Sequence, residues 1–178
     1  MKTITVLLLL LLVCASCNLA QTPAAPPTVT LPPAPTSPPL DTYTNNAFSY
    51  TLQYPTGLSL EANDDESFVW LDRQIYISVS PINPEEMQGD GPVIESAEDT
   101  SIGEYSGRHL TGFIGSIGGN TPQSYESVAI PHNGLYYLIT VYELKNDAPL
   151  DDTHQPGDIP TQAQMLFEQV LGSLRFTG

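Results

Sequence analysis

Histidine is the side chain most often used for proton transfer near neutral pH, and the chain has three: His109, His132 and His154. No two of them stand at a helix or strand spacing that would bring a pair of imidazoles onto one metal. A hydrolytic centre would have to gather a histidine, an acid and a serine from distant parts of the fold. His109 falls in a strand-like stretch beside Arg108, His132 in a solvated turn, and His154 in a loop of Pro and Asp. Two other stretches are rich in oxygen ligands: Asn63-Asp64-Asp65-Glu66, and the region carrying Asp147, Asp151, Asp152 and Asp158. Calcium takes about six to eight such ligands, but the D-x-D-x-D-G pattern of a dedicated loop is missing. The acids read either as a weak, structural Ca²⁺ site or as a solvated face that keeps the domain soluble. The run Gly112-Phe113-Ile114-Gly115-Ser116-Ile117-Gly118-Gly119-Asn120 lacks the Lys-Ser/Thr and the following helix that phosphate binding requires. Ser116 directly follows Gly115, so the run is not a nucleophile elbow either. It reads as a loop or hairpin tip. These residues assign no catalytic, cofactor or metal position.

The nine tyrosines offer more. Tyr76, Tyr136 and Tyr142 lie in strand-patterned stretches and are expected on one exposed sheet face. There a ring with a polar tip suits a binding surface. Strand propensity alone also accounts for them. Nucleic acid is excluded as a partner: the formal charge is −15 with only five Lys and Arg, and phosphate recognition takes several basic side chains.

The N-terminus carries a different kind of signal. Lys2 gives a positive start, and Ile4 to Val13 is nearly all apolar, with an unbroken run from Leu7 to Leu12. That stretch is too short to span a ~30 Å hydrocarbon core and reads as a secretory signal. Val13-Cys14-Ala15-Ser16-Cys17 resembles a bacterial lipobox, with Cys14 where that pattern usually has leucine. The resemblance implies cleavage before Cys17 and its linkage to diacylglycerol. The chain has two cysteines in all. Cleavage discards Cys14, and acylation removes the lone thiol from an oxidising compartment. Cleavage after Ala20 is the alternative and discards both. No disulfide staples the mature fold in either case, so burial must hold it together. Residues 17–40 follow as a lipid-anchored linker rich in Pro, Thr and Ala. Eight of the seventeen prolines lie between Asn18 and Leu40. Proline fixes φ and removes a donor, so this tether is expected to be extended and disordered, reaching roughly 70 Å at most.

The remainder, 41–178, is expected to be one α+β domain: an antiparallel sheet packed against a C-terminal helix. Phe48, Tyr50, Leu52 and Tyr54 alternate with polar residues, as do Ile75, Ile77 and Val79, marking half-buried strands. Phe68 to Leu71 is a short apolar strand with the single tryptophan, Trp70. Residues 83–100 read as a long acidic loop with a helical turn near Pro84. Ser106-Gly107 is a weak hairpin signal between strands at 100–105 and 108–114. Pro131-His132-Asn133-Gly134 is a strong one, since Asn-Gly tolerates two positive φ values. The strand after it is apolar on both faces and belongs at the centre of the sheet. Ala163, Leu166, Phe167, Val170 and Leu171 form one helical stripe, with a capping box at Thr161–Gln164 and Gly172 as C-cap.

Two motifs frame this domain. Phe48-Ser49-Tyr50-Thr51-Leu52-Gln53-Tyr54-Pro55-Thr56-Gly57 resembles the opening of PsbP-like domains of the Mog1/PsbP fold, with Leu58 where a Trp commonly follows. Phe167-Glu168-Gln169-Val170-Leu171-Gly172-Ser173-Leu174-Arg175-Phe176 resembles the closing pattern of their secreted bacterial members. The resemblance implies a sheet–helix sandwich used for binding or scaffolding, without a shared catalytic motif. The expectation is a non-enzymatic module of the bacterial cell envelope. It is held to the membrane through lipidated Cys17 and binds an envelope protein or a small ligand. An envelope hydrolase with a dispersed site and a Ca²⁺-linked surface domain are the alternatives.

Overall fold

Asn133 and Gly134 take φ values of 50° and 77°, the pair of left-handed residues that a two-residue hairpin needs if its twist is to match its strands. In this computed structural model, which describes residues 38–87, 92–114, 122–145 and 155–177, they join β8 (Gln123–His132) to β9 (Leu135–Tyr142). Pro131 and His132, expected in the turn, are the last residues of β8. All described residues belong to the compact unit Ser37–Gly178.

The other elements are β1 (Leu40–Asn45), β2 (Tyr50–Pro55), β3 (Leu60–Ala62), β4 (Phe68–Leu71), β5 (Ile75–Ser80), a 3₁₀ turn (Pro84–Glu86), β6 (Val93–Ile102), β7 (Tyr105–Ile114), α1 (Thr161–Ser173) and β10 (Arg175–Phe176). Seven strands form one antiparallel sheet in the order β3-β4-β5-β9-β8-β7-β6, and β1-β2-β10 form a second. As expected for a strand apolar on both faces, β9 is central, between β5 and β8.

The core lies between the large sheet, the small sheet and α1. Ile75, Ile77 and Val79 of β5 and Tyr137, Ile139 and Val141 of β9 point into it. Tyr50 and Leu52 of β2 meet them, and α1 contributes Ala163, Phe167, Val170 and Leu171. Leu166 of the expected stripe is only partly buried. The helix ends differ from expectation. Thr161 is already helical and Pro160 is the N-cap, with no side-chain cap bond. Proline fits this boundary because its missing N–H costs the first turn nothing. Gly172 lies inside the helix, and the cap is Leu174, whose N–H bonds Leu171 O. Leu174 is 1% exposed, so burial of its side chain, not a left-handed glycine, ends the helix.

The expected 83–100 loop is in large part β6, paired with β7 from Val93 to Ile102. Two things hid it. It is an edge strand whose Glu95, Glu98 and Asp99 are exposed, as charged edges that discourage further pairing often are. A register shift between Ile94 and Ser96 also breaks its alternation. Opposite the shift sits Gly112, where an added Cβ would collide with Val93 O. The β6–β7 turn is Gly103-Glu104, with Gly103 at φ 60°. Ser106-Gly107 belongs to β7. Gly107 is required there, because a Cβ would come within 2.7 Å of Ala129 O.

Asn45 ties the β1–β2 corner to the β3–β4 turn. It is fully buried, donates to Glu66 O at 2.9 Å and accepts the Phe48 N–H at 2.9 Å. β1 begins at Leu40, a residue assigned to the linker by composition.

Candidate functional site

Strands that alternate bury one face and present the other. On the face of the large sheet turned from α1, β5 presents Tyr76 and Ser78, and β9 presents Leu138, Thr140 and Tyr142. From β8 come Tyr125 and Ser127, and from β7 Leu110 and Ile114. The chain leaving β5 must reach β6, which lies beyond β9, β8 and β7 in the sheet. Pro84 and Met87 on this connection, with Pro92 and Ile94 at its far end, form the opposite wall of a cleft of about 250 Å³.

One residue fastens the near end of the connection. Arg108, on β7, donates from Nε to Glu85 Oε1 at 2.9 Å, from Nη1 to Asp99 Oδ1 at 2.6 Å and from Nη2 to Ala97 O at 3.0 Å. The 3₁₀ turn, β6 and β7 are thereby joined at one guanidinium. These bonds, to Glu85 first and Asp99 second, raise the Arg108 pKa further. Asn83 supports the turn by accepting the Glu85 N–H at 3.1 Å.

The cleft walls are apolar and aromatic, and among the described residues no lining side chain is acidic or basic. Trp70, paired with Tyr76 across β4 and β5, packs beside them, its ring 4.8 Å from Tyr76 and 5.6 Å from Tyr142. Ser127 and Thr140 face each other across β8 and β9 and share a buried hydrogen bond of 2.7 Å. This gives each hydroxyl one partner in an otherwise apolar wall. Tyr125 donates to Val93 O at 3.4 Å. Burial raises the pKa of Tyr125 to about 12, with a smaller contribution from the negative charge of Glu95. Burial also raises Tyr76 and, more strongly, Tyr142. These phenols therefore remain neutral near neutral pH. Among the described residues, the hydroxyls of Tyr76 and Tyr142 have no hydrogen-bond partner.

Of the three tyrosines picked out from sequence, Tyr76 and Tyr142 line the cleft together. Tyr136 lies on the same strand as Tyr142, opposite Ser80 and outside the cleft. Sequence reasoning missed Ser127 and Thr140. Their trace was legible as small polar residues in otherwise apolar central strands. It also missed Leu110 and Ile114, whose face depends on the register of β7.

The two described histidines, His109 and His132, have different surroundings. His109 Nε2 lies 2.9 Å from Glu126 Oε1 on β8, with no serine hydroxyl bonded to it among the described residues. His132 is not in a solvated turn but half-buried, stacked on Phe176 at 3.9 Å. His154 lies outside the described residues, as do Asp147, Asp151, Asp152, the signal and Cys17, and Gly115 to Asn120 of the glycine run. At the other acidic stretch, Asn63 Oδ1 accepts the Phe68 N–H at 3.0 Å and Asp65 Oδ1 the Ser67 N–H at 3.0 Å. Hydrogen bonds from Ser67 are the main cause holding Asp65 below the usual carboxylate range. Among the described residues no three His, Cys, Asp or Glu side chains converge as metal ligands, and no helix is long and apolar enough to cross a membrane.

No family model matches the sequence, and no curated protein matches it. In structure the chain is similar to cyanobacterial PsbP (CyanoP) from Synechocystis sp. PCC 6803, determined in solution, at 13% identity and a TM-score of 0.49, over 85% of this chain and 99% of that one. It is also similar to a crystal structure from Bacteroides thetaiotaomicron VPI-5482, at 10% identity and a TM-score of 0.47, over 77% of this chain and 48% of that one.

Proposed function

We propose that this protein is a non-enzymatic binding module of the bacterial cell envelope, held to the membrane by a lipidated Cys17, whose ligand site is the cleft on the sheet face away from α1. The observation that carries this reading is the cleft itself. Pro84, Met87, Pro92 and Ile94 stand over Tyr76, Leu138 and Tyr142 and leave apolar space between the two walls. Small-molecule sites are concave and mostly apolar, with a few placed polar groups. The tether and the lipobox support the envelope location.

Two experiments test the two parts. Native mass spectrometry of protein gently extracted from the envelope should show a bound small molecule. Ser78→Phe, which places a ring in the cleft, should remove it; the same bound mass in the variant would place the ligand elsewhere. Cys17→Ala should move the protein out of the membrane fraction. Unchanged fractionation would contradict the anchor and leave the cleft unaffected.

A further inference from the structure

The cleft's size, charge and polar groups together restrict what it can hold. A dry apolar cavity of ~150 Å³ accommodates benzene, so the 250 Å³ here matches a two-ring system and is small for a lipid tail. Its walls are rings as well as aliphatic groups. Tyr76 and Tyr142 are flanked by Trp70, and aromatic surfaces favour a flat ring in offset or edge contact. Among the described residues no charged side chain lines the space, and none of them would replace the hydration that an ionised ligand loses. The chain's formal charge of −15 would further disfavour anions. Ser127 and Thr140 bond each other, whereas the Tyr76 and Tyr142 hydroxyls have no partner among the described residues. With the Ser78 hydroxyl, which also lines the cleft, they are the side-chain groups available to hydrogen-bond a guest.

Resting on the reading of the cleft as the ligand site, we propose that it selects a neutral, flat, two-ring molecule carrying one hydroxyl or carbonyl, held between the rings of Tyr76 and Tyr142 and hydrogen-bonded by their hydroxyls.

The test uses the full chain. Four probes are compared by saturation-transfer NMR and calorimetry: 2-naphthol, naphthalene, naphthalene-2-sulfonate and 1-octanol. 2-Naphthol should bind up to about tenfold more tightly than naphthalene, which lacks the hydroxyl, and more tightly still than the sulfonate, whose charge would be desolvated; 1-octanol keeps a hydroxyl but offers no flat ring to the tyrosines and should bind more weakly than 2-naphthol. The double substitution Tyr76→Phe, Tyr142→Phe keeps the rings and should weaken 2-naphthol about tenfold, while leaving naphthalene unchanged. Ser78→Phe should abolish binding of both. Sulfonate or octanol binding as tightly as 2-naphthol would overturn the ligand class but leave the cleft as a site. So would an undiminished 2-naphthol affinity in the double variant. Absence of saturation transfer from every probe would overturn the cleft reading and this inference with it.

Discussion

Asn45 shows how much one polar side chain can organise when it is buried with its bonds made. Its amide closes the turn into Phe48 and reaches the backbone of Glu66, so two corners far apart in sequence share one anchor. Asn45→Ala leaves buried backbone groups without partners and should cost about 1–3 kcal/mol, measured by urea denaturation. Tyr125 offers a second test, through pH. Folding raises its pKa from 10.0 to about 12, chiefly by burial. The fold therefore favours the neutral phenol, and the unfolded chain ionises first. Its contribution is complete below pH 10 and is lost as the pH climbs towards 12. The melting temperature should fall over that window, and fall less in Tyr125→Phe.

Among the elements, the connection from β5 to β6 decides whether there is a site at all. Surface ion pairs add little to stability, and Arg108 and Glu85 remain about a third exposed. Their role is geometric: they fix the 3₁₀ turn against β6 and β7. Arg108→Ala should thus leave the melting temperature nearly unchanged, while hydrogen exchange speeds up at the 82–87 amides and binding in the cleft weakens. A large loss of stability without faster local exchange would show that Arg108 supports the sheet instead. Little of this was legible beforehand. The turn at Pro84 was, because proline and acids mark a helical start. β6 was not, because an acidic edge strand with a bulge shows neither alternation nor an apolar run.

At the scale of the whole molecule, local periodicity was enough for the class of fold. Alternation at Ile75, Ile77 and Val79, the Asn133-Gly134 turn and the apolar stripe on α1 each depend on near neighbours in sequence. Those three features already imply an antiparallel sheet with a helix on one face. The reading of Cys17 as a membrane anchor likewise comes from a short motif alone, Val13 to Cys17. Tertiary structure alone decided the strand order, with β5 beside β9 and β6 at the far edge, and hence that one connection must cross three strands. A period of two says that a face is covered but not by what, because pairing between strands distant in sequence is set by the packing of the whole chain. Tyr76, Ser127 and Tyr142 became parts of one cleft only through that pairing.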